Sequence, residues 1–257
     1  MMPENTLVAF EKAIALGVHT LELYVVISKD RQVIVSHEPY MSRYICLDSL
    51  GRPIPVEDDM KYNIYRMNHS EIMNFDCGSK YVDNFPNQKK IKTYKPRLDE
   101  VFSLATSLRA SVKYNIEIKA KPKYDEVYTP DPKEFVELVI QSIDRHAAFD
   151  SCNLQSFDLR ILEEIKRQAP GMKIAILVDE FEDISTKLAQ LSYKPDIISP
   201  YFKLLDQEKV SFYKQKGFEI IPWTVNTKAD MMNMMALDVD AIITDYPDVL
   251  MDLLNKN

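Results

Sequence analysis

Apolar positions along the chain switch between two spacings. In residues 5–16, Leu7, Phe10 and Ile14 recur with the alanines at helical spacing; Asn5 or Thr6 can cap the start, and Gly17 ends the segment. Residues 20–28 read as a strand, Lys29–Gln32 as a polar turn, and Val33–His37 as the returning strand of a hairpin. A helical pattern returns at 97–108. Beyond it, apolar β-rich stretches at 112–119, 152–156, 173–178, 196–199, 219–225 and 241–244 alternate with helical patterns near 132–146, 158–168, 180–191, 205–216 and 228–236. A helix near 247–255 closes the chain.

Alternation of strand and helix implies a parallel α/β sheet with helices packed outside it. At 257 residues the chain has the usual size of one TIM-type (β/α)8 barrel. Counting 20–28 but not its hairpin return gives about seven parallel strands, where closure of this barrel uses about eight. The pattern also opens on a helix, so the expectation is a barrel lacking its first strand. An open doubly wound sheet is the alternative, weakened because the chain has only five glycines and no glycine-rich phosphate loop. Residues 40–97 have little regular period and hold Pro53, Pro55, Pro86 and Pro96. They read as an insertion after the hairpin, with one short helix near 69–75. With no repeat, low-complexity tract or linker, residues 1–257 read as a single domain containing that insertion.

Charge narrows the function. A net charge of −7 argues against nucleic acid as a partner, and an anionic small substrate would need a local cluster of cations or a metal. No apolar run reaches the roughly 18 residues of a membrane span. Cys46, Cys77 and Cys152 are widely spaced and odd in number, suggesting neither a disulfide framework nor a zinc site. Cysteine usage and the lack of a leader lean toward a cytoplasmic protein.

In a (β/α) barrel the chemistry sits at the C-terminal strand ends. Glu22 lies inside an apolar strand, where a carboxylate either faces solvent or is held by a partner or a metal. In Asn115-Ile-Glu-Ile-Lys119, alternation puts Glu117 and Lys119 on one face: a metal ligand beside a phosphate-binding cation, or an ion pair at a barrel end. His37 ends the hairpin and suits proton transfer near neutral pH, although a lone histidine is often structural. Trp223, the one tryptophan, is on a strand and suits either core packing or a pocket wall.

Several segments together resemble the glycerophosphodiester phosphodiesterase family. Pro3-Glu-Asn-Thr-Leu-x-Ala-Phe10 is similar to the family's PENT signature. Leu21-Glu-Leu23, Ser28-Lys-Asp30, and Val33-Ile-Val-Ser-His-Glu-Pro39 with Arg43 follow in order. Ile116-Glu-Ile-Lys119, Gln155-Ser-Phe157, Pro222-Trp-Thr-Val-Asn226 and Thr244-Asp-Tyr-Pro247 complete the match. The resemblance implies hydrolysis of a glycerophosphodiester to an alcohol and sn-glycerol 3-phosphate with a bound divalent cation, Ca2+ or Mg2+. It implies Glu22 and Glu117 as metal ligands, His37 as one of two acid/base histidines, Lys119 as a phosphate contact, Trp223 as a wall of the glycerol pocket, and 40–97 as the cover of that pocket.

Three departures stand against the family pattern. Its upstream strand ending in His-Arg-Gly has no counterpart before Pro3. Its Glu-x-Asp reads Glu22-Leu23-Tyr24, which exchanges a carboxylate ligand for a neutral phenol. Its His-Asp reads His37-Glu38. A non-catalytic member that binds a glycerophosphodiester or a partner protein is therefore the competing expectation.

Overall fold

The computed structural model describes residues 1–255. Helix α1 (Leu7–Ala15) leads into the hairpin β1 (Thr20–Ile27) and β2 (Val33–Val35). Short helix α2 (His69–Ile72) and helix α3 (Leu98–Ser107) follow, then β3 (Lys113–Ile118), α4 (Pro132–Arg145), β4 (Cys152–Ser156), α5 (Leu159–Gln168) and β5 (Lys173–Val178). The chain continues through α6 (Ile184–Leu188), β6 (Ile197–Pro200), α7 (Gln207–Gln215), β7 (Glu219–Ile220), α8 (Lys228–Ala236) and α9 (Pro247–Leu254). The sheet order is β2-β1-β3-β4-β5-β6-β7, antiparallel only at the β1–β2 hairpin.

Alternation along the strands separates two environments. Leu21, Leu23 and Val25 of β1 and Ile116 and Ile118 of β3 join the main apolar core with the inward stripes of the helices. Glu22, Tyr24, Asn115 and Glu117 fall on the opposite face, that of the barrel interior. Local chemistry fixes the starts of the helices. The side chains of Thr6, Asp131, Asp158, Asp183, Asp206 and Thr227 each accept a hydrogen bond from a first-turn backbone N–H.

Two expected strands differ from the structure. The stretch at 219–225 forms regular strand only over Glu219–Ile220, and 241–244 forms none. The latter segment still runs beside β7: Asp240 N–H donates to Ile220 O (2.9 Å), Ile243 N–H to Pro222 O (3.0 Å) and Val225 N–H to Ile243 O (2.9 Å). It is partly exposed because no strand pairs with its other edge among the described residues. The result is a (β/α) barrel with the place of one strand open between β1 and residues 240–243.

The insertion after β2 has a core of its own. Met41, Cys46, Ile54, Ile64, Ile72, Phe75 and Cys77 pack with Val26 and Ile34 on the far side of the hairpin. The expectation of no disulfide is corrected here, because Cys46 and Cys77 are bonded. Their separation of 31 residues hid the pairing, which depends on how the insertion folds back on itself. The cysteine argument for the cytoplasm therefore falls away. The backbone O of Asp76 accepts from Leu47 N–H, while its Oδ1 accepts from Gly78 N–H at 3.0 Å, which draws the two cysteine-bearing segments together. Gly78 is required by close approach: an added Cβ would stand 2.1 Å from the backbone oxygen of Ile91 and 2.5 Å from Thr93 Cγ2.

Gly78→Ala is expected to destabilise the protein by about 1–3 kcal/mol in urea denaturation, the usual cost of forcing atoms into a packed site. Gly171→Ala is the control. Its Cβ would meet only Phe149 carbons, at 3.8 Å and beyond, and its effect should stay within about 0.5 kcal/mol. Equal effects for the two would refute the close-approach explanation.

Candidate active site

Parallel register brings the candidate residues to one end of the barrel. Tyr24 on β1 lies opposite Glu117 on β3, and Glu117 lies opposite Gln155 on β4; Glu22 is one layer below, opposite Asn115. Gln155 Nε2 donates to Glu22 Oε1 across 2.9 Å, although the residues are 133 positions apart in sequence. Lys119 Nζ is 3.0 Å from Glu117 Oε1. His37, just beyond β2, places its ring edge-on to Tyr24 with centroids 4.7 Å apart, and Lys119 Nζ stands 5.3 Å from the centre of the Tyr24 ring. Four of the five sequence candidates therefore converge.

Burial sets the electrostatics. Desolvation pushes the Glu22 carboxyl up to about 8, and the neighbouring charge of Glu117 adds to the rise. Glu117 is also raised by burial, with Lys119 pulling it back. Burial holds the Tyr24 phenol well above its ordinary value, followed in effect by the carboxylates of Glu22 and Glu117. Tyr24 thus stays neutral where a third acid would complete the group. Glu38, missed as a site residue in the sequence, accepts from His37 Nδ1 at 2.8 Å, and that hydrogen bond holds its carboxyl below the usual range.

A cavity of about 460 Å³ opens onto this cluster; His37, Glu38, Glu117 and Lys119 meet Lys121, Tyr124 and Phe157 on its wall. Asp179 and Glu182 from the β5–α6 loop complete it. Only proximity in space reveals Lys121, Tyr124, Asp179 and Glu182, since none belongs to a strand motif. A second cavity of about 420 Å³, bordered by Glu4, Glu22, Tyr24, His37 and Asp245, follows the open seam of the barrel. Trp223 is set apart from the four converging residues. Its Nε1 donates to Ser199 O at 2.8 Å and its ring meets Phe157 edge-on at 5.5 Å, so it supports the cavity wall through Phe157.

Oxygen donors suit a hard divalent cation, and Glu22 and Glu117 supply two. Gln155 Oε1 is buried without a hydrogen-bond partner and offers a third. The residues present therefore fit such an ion, with Tyr24 the weak member. A separate acidic group, Glu126, Asp131 and Glu134, lies at the exposed start of α4. Its carboxylates are engaged by Arg31, by the Tyr65 hydroxyl and by the backbone N–H groups of Asp131 and Glu134.

With this geometry in hand, residues 1–249 match the profile of the Glycerophosphoryl diester phosphodiesterase family. The chain belongs to that family. Glycerophosphodiester phosphodiesterases are enzymes of phosphoric diester hydrolysis, and their (β/α) barrel is the architecture seen here. The chain is 30% identical over 257 residues to the Glycerophosphodiester phosphodiesterase of Caldanaerobacter subterraneus subsp. tengcongensis, covering 99% of this chain and 93% of that one. A solved Silicibacter pomeroyi structure named for the same family superposes with a TM-score of 0.87 at 27% identity, covering 98% and 90% of the two chains. An Oleispira antarctica phosphodiesterase, solved in complex with the product sn-glycerol-3-phosphate, shares the fold with a TM-score of 0.78 at 20% identity, covering 99% and 92%. Among the described residues no helix is long and apolar enough to cross a membrane.

Next to the site, Lys95 is 2% exposed and has no carboxylate within ion-pair distance among the described residues. Burial pushes its ammonium down to about 8, against the opposing pull of Glu4 and Glu38. Between pH 8 and the ordinary lysine range the unfolded chain binds more protons than the folded one, so this residue's contribution to stability rises with pH across that window. Below it the penalty is fully present. Lys95→Met should therefore stabilise the protein at pH 7 by on the order of 3 kcal/mol, with a gain that shrinks toward pH 10. Chemical denaturation at both pH values checks this, and an unchanged or lowered stability at pH 7 would contradict it.

Proposed function

We propose that this chain hydrolyses glycerophosphodiesters to an alcohol and sn-glycerol 3-phosphate. The observation that carries the reading is the convergence of Glu117, Lys119 and His37 on one cavity at the barrel mouth, with Glu22 one layer below on the adjoining cavity that His37 also lines. Lys119 offers its ammonium to the phosphate oxygens, and Lys121 adds a second positive charge on the same wall. His37 exchanges the proton: its contact with Glu38 orders Nδ1 and leaves Nε2 for the reacting oxygen. Trp223 backs the glycerol side of the cavity through Phe157. Glu22 and Glu117 would hold a divalent cation, Ca2+ or Mg2+, and such an ion when bound neutralises phosphate charge and stabilises charge that develops in the transition state. The chain functions in this reading as one barrel unit, 1–257, with 40–97 as its insertion. That segment ties to the β3–α4 loop through Asn63 Nδ2 to Val127 O (2.7 Å) and Arg66 Nη2 to Glu126 O (2.7 Å).

Tyr24 supports a second reading, in which the protein binds a glycerophosphodiester without turning it over. A neutral phenol in place of a third carboxylate weakens the hold on a hard cation.

Hydrolysis of a panel of glycerophosphodiesters, measured as glycerol 3-phosphate release with Ca2+ or Mg2+, separates the two readings. His37→Ala should lower kcat by about two to four orders of magnitude. Tyr24→Asp should raise activity and enlarge the increase in Tm that added cation produces, while Glu117→Gln should abolish that increase. Tight binding of the diesters with no turnover by parent or Tyr24→Asp would establish the second reading instead.

A further inference from the structure

The main cavity is electrically two-sided, and the sheet order shows why. Strands β3, β4 and β5 are neighbours, so the residues just past their ends stand side by side across the mouth. These are Lys119 after β3, Phe157 after β4 and Asp179 after β5, and all three line the cavity. A cation, an aromatic ring and an anion therefore follow one another around one wall.

The anionic side is neutralised from within at one of its two carboxylates only. Glu182, its other carboxylate, is engaged: it accepts from Asp179 N–H at 2.8 Å and pairs with Lys187 at 2.5 Å. Asp179 has no cationic side chain within ion-pair distance among the described residues. Its carboxylate accepts only a long contact from Phe181 N–H, at 3.5 Å. A free carboxylate two strands away from Lys119 and Lys121 is complementary to a ligand with negative charge at one end and positive charge at the other.

We infer that Asp179 is a specificity-determining residue that selects diesters whose alcohol carries a positively charged amine over diesters of a neutral alcohol. The inference rests on the reading of this cavity as a phosphodiesterase site. With the phosphate on Lys119 and Lys121, the alcohol extends along Phe157 to Asp179. A substituted ammonium gains the carboxylate there, whereas a hydroxylated neutral alcohol leaves that carboxylate without a counter-charge; the Phe157 ring already has Lys187 Nζ at 5.3 Å from its centre.

Titration calorimetry with glycerophosphocholine and glycerophosphoglycerol tests the preference apart from turnover. The parent chain should bind the choline diester more tightly, on the order of tenfold. Asp179→Asn should bring the ratio of the two affinities close to one, and Asp179→Glu should preserve the preference, with circular dichroism confirming that both variants fold. Equal affinities in the parent, or a ratio that Asp179→Asn leaves unchanged, would overturn the inference. Preferential binding with no hydrolysis of either diester would sink the hydrolytic reading and leave the alcohol preference standing. Hydrolysis of both diesters with equal affinities would do the reverse.

Discussion

The structure of the site depends on the placement of two carboxylates, Glu22 and Glu117, on neighbouring strands inside the barrel. Burying a carboxylate costs several kcal/mol unless its lone pairs and charge are met, and here the charge of Glu117 raises the proton affinity of Glu22 beyond what burial does. The groups around them answer that cost. Gln155 donates to Glu22 and Lys119 pairs with Glu117, while the unpartnered oxygen of Gln155 works the other way by adding to the negative potential. None of this would hold if the strands could slip. A shift of one residue would turn Glu22 and Glu117 toward the helices and bring Leu21, Leu23, Ile116 and Ile118 into the polar interior. The apolar face of the same strands, fully buried, is therefore what fixes the acidic face in register.

Tyr24 changes the balance at this centre. A third carboxylate would add to the repulsion and raise the attraction for a divalent cation. The phenol contributes no charge and fills the same position with an aromatic surface that His37 meets edge-on and Lys119 approaches from 5.3 Å. Lys119 is thus drawn toward the barrel interior by Glu117 and by the ring together. This arrangement lowers the net negative charge without an ion. It also lowers the charge available to retain one.

Much of this was legible in the sequence, for particular reasons. The strands β1, β3 and β5 are rich in apolar residues, and Glu22, Glu117 and Lys119 stand out because they set charges inside such a strand or at its end. The segment 241–244 was harder. Its composition is that of a strand, but with one edge unpaired it keeps a few hydrogen bonds to β7 and loses regular geometry. The Cys46–Cys77 bond is hidden by an insertion with no period to read, and its small core becomes visible only when Val26 and Ile34 are seen to lie on the hairpin face opposite the helix-packed core. Asp179 and Glu182 lie on a loop and Tyr124 ends a single 3-10 turn, Pro122–Tyr124, where no periodicity distinguishes a wall residue from a solvated one. A pocket role for Trp223 comes from the resemblance alone; in the structure its ring meets Phe157 of the cavity wall edge-on.

His37 links the two cavities, since its side chain borders both. The main cavity opens at the mouth, while the second reaches Glu22, Tyr24 and Asp245. On the reading proposed above, a diester held in the first cavity lies against the imidazole. The contact of Nδ1 with Glu38 then fixes the ring and leaves Nε2 as the nitrogen that can meet the diester's oxygen.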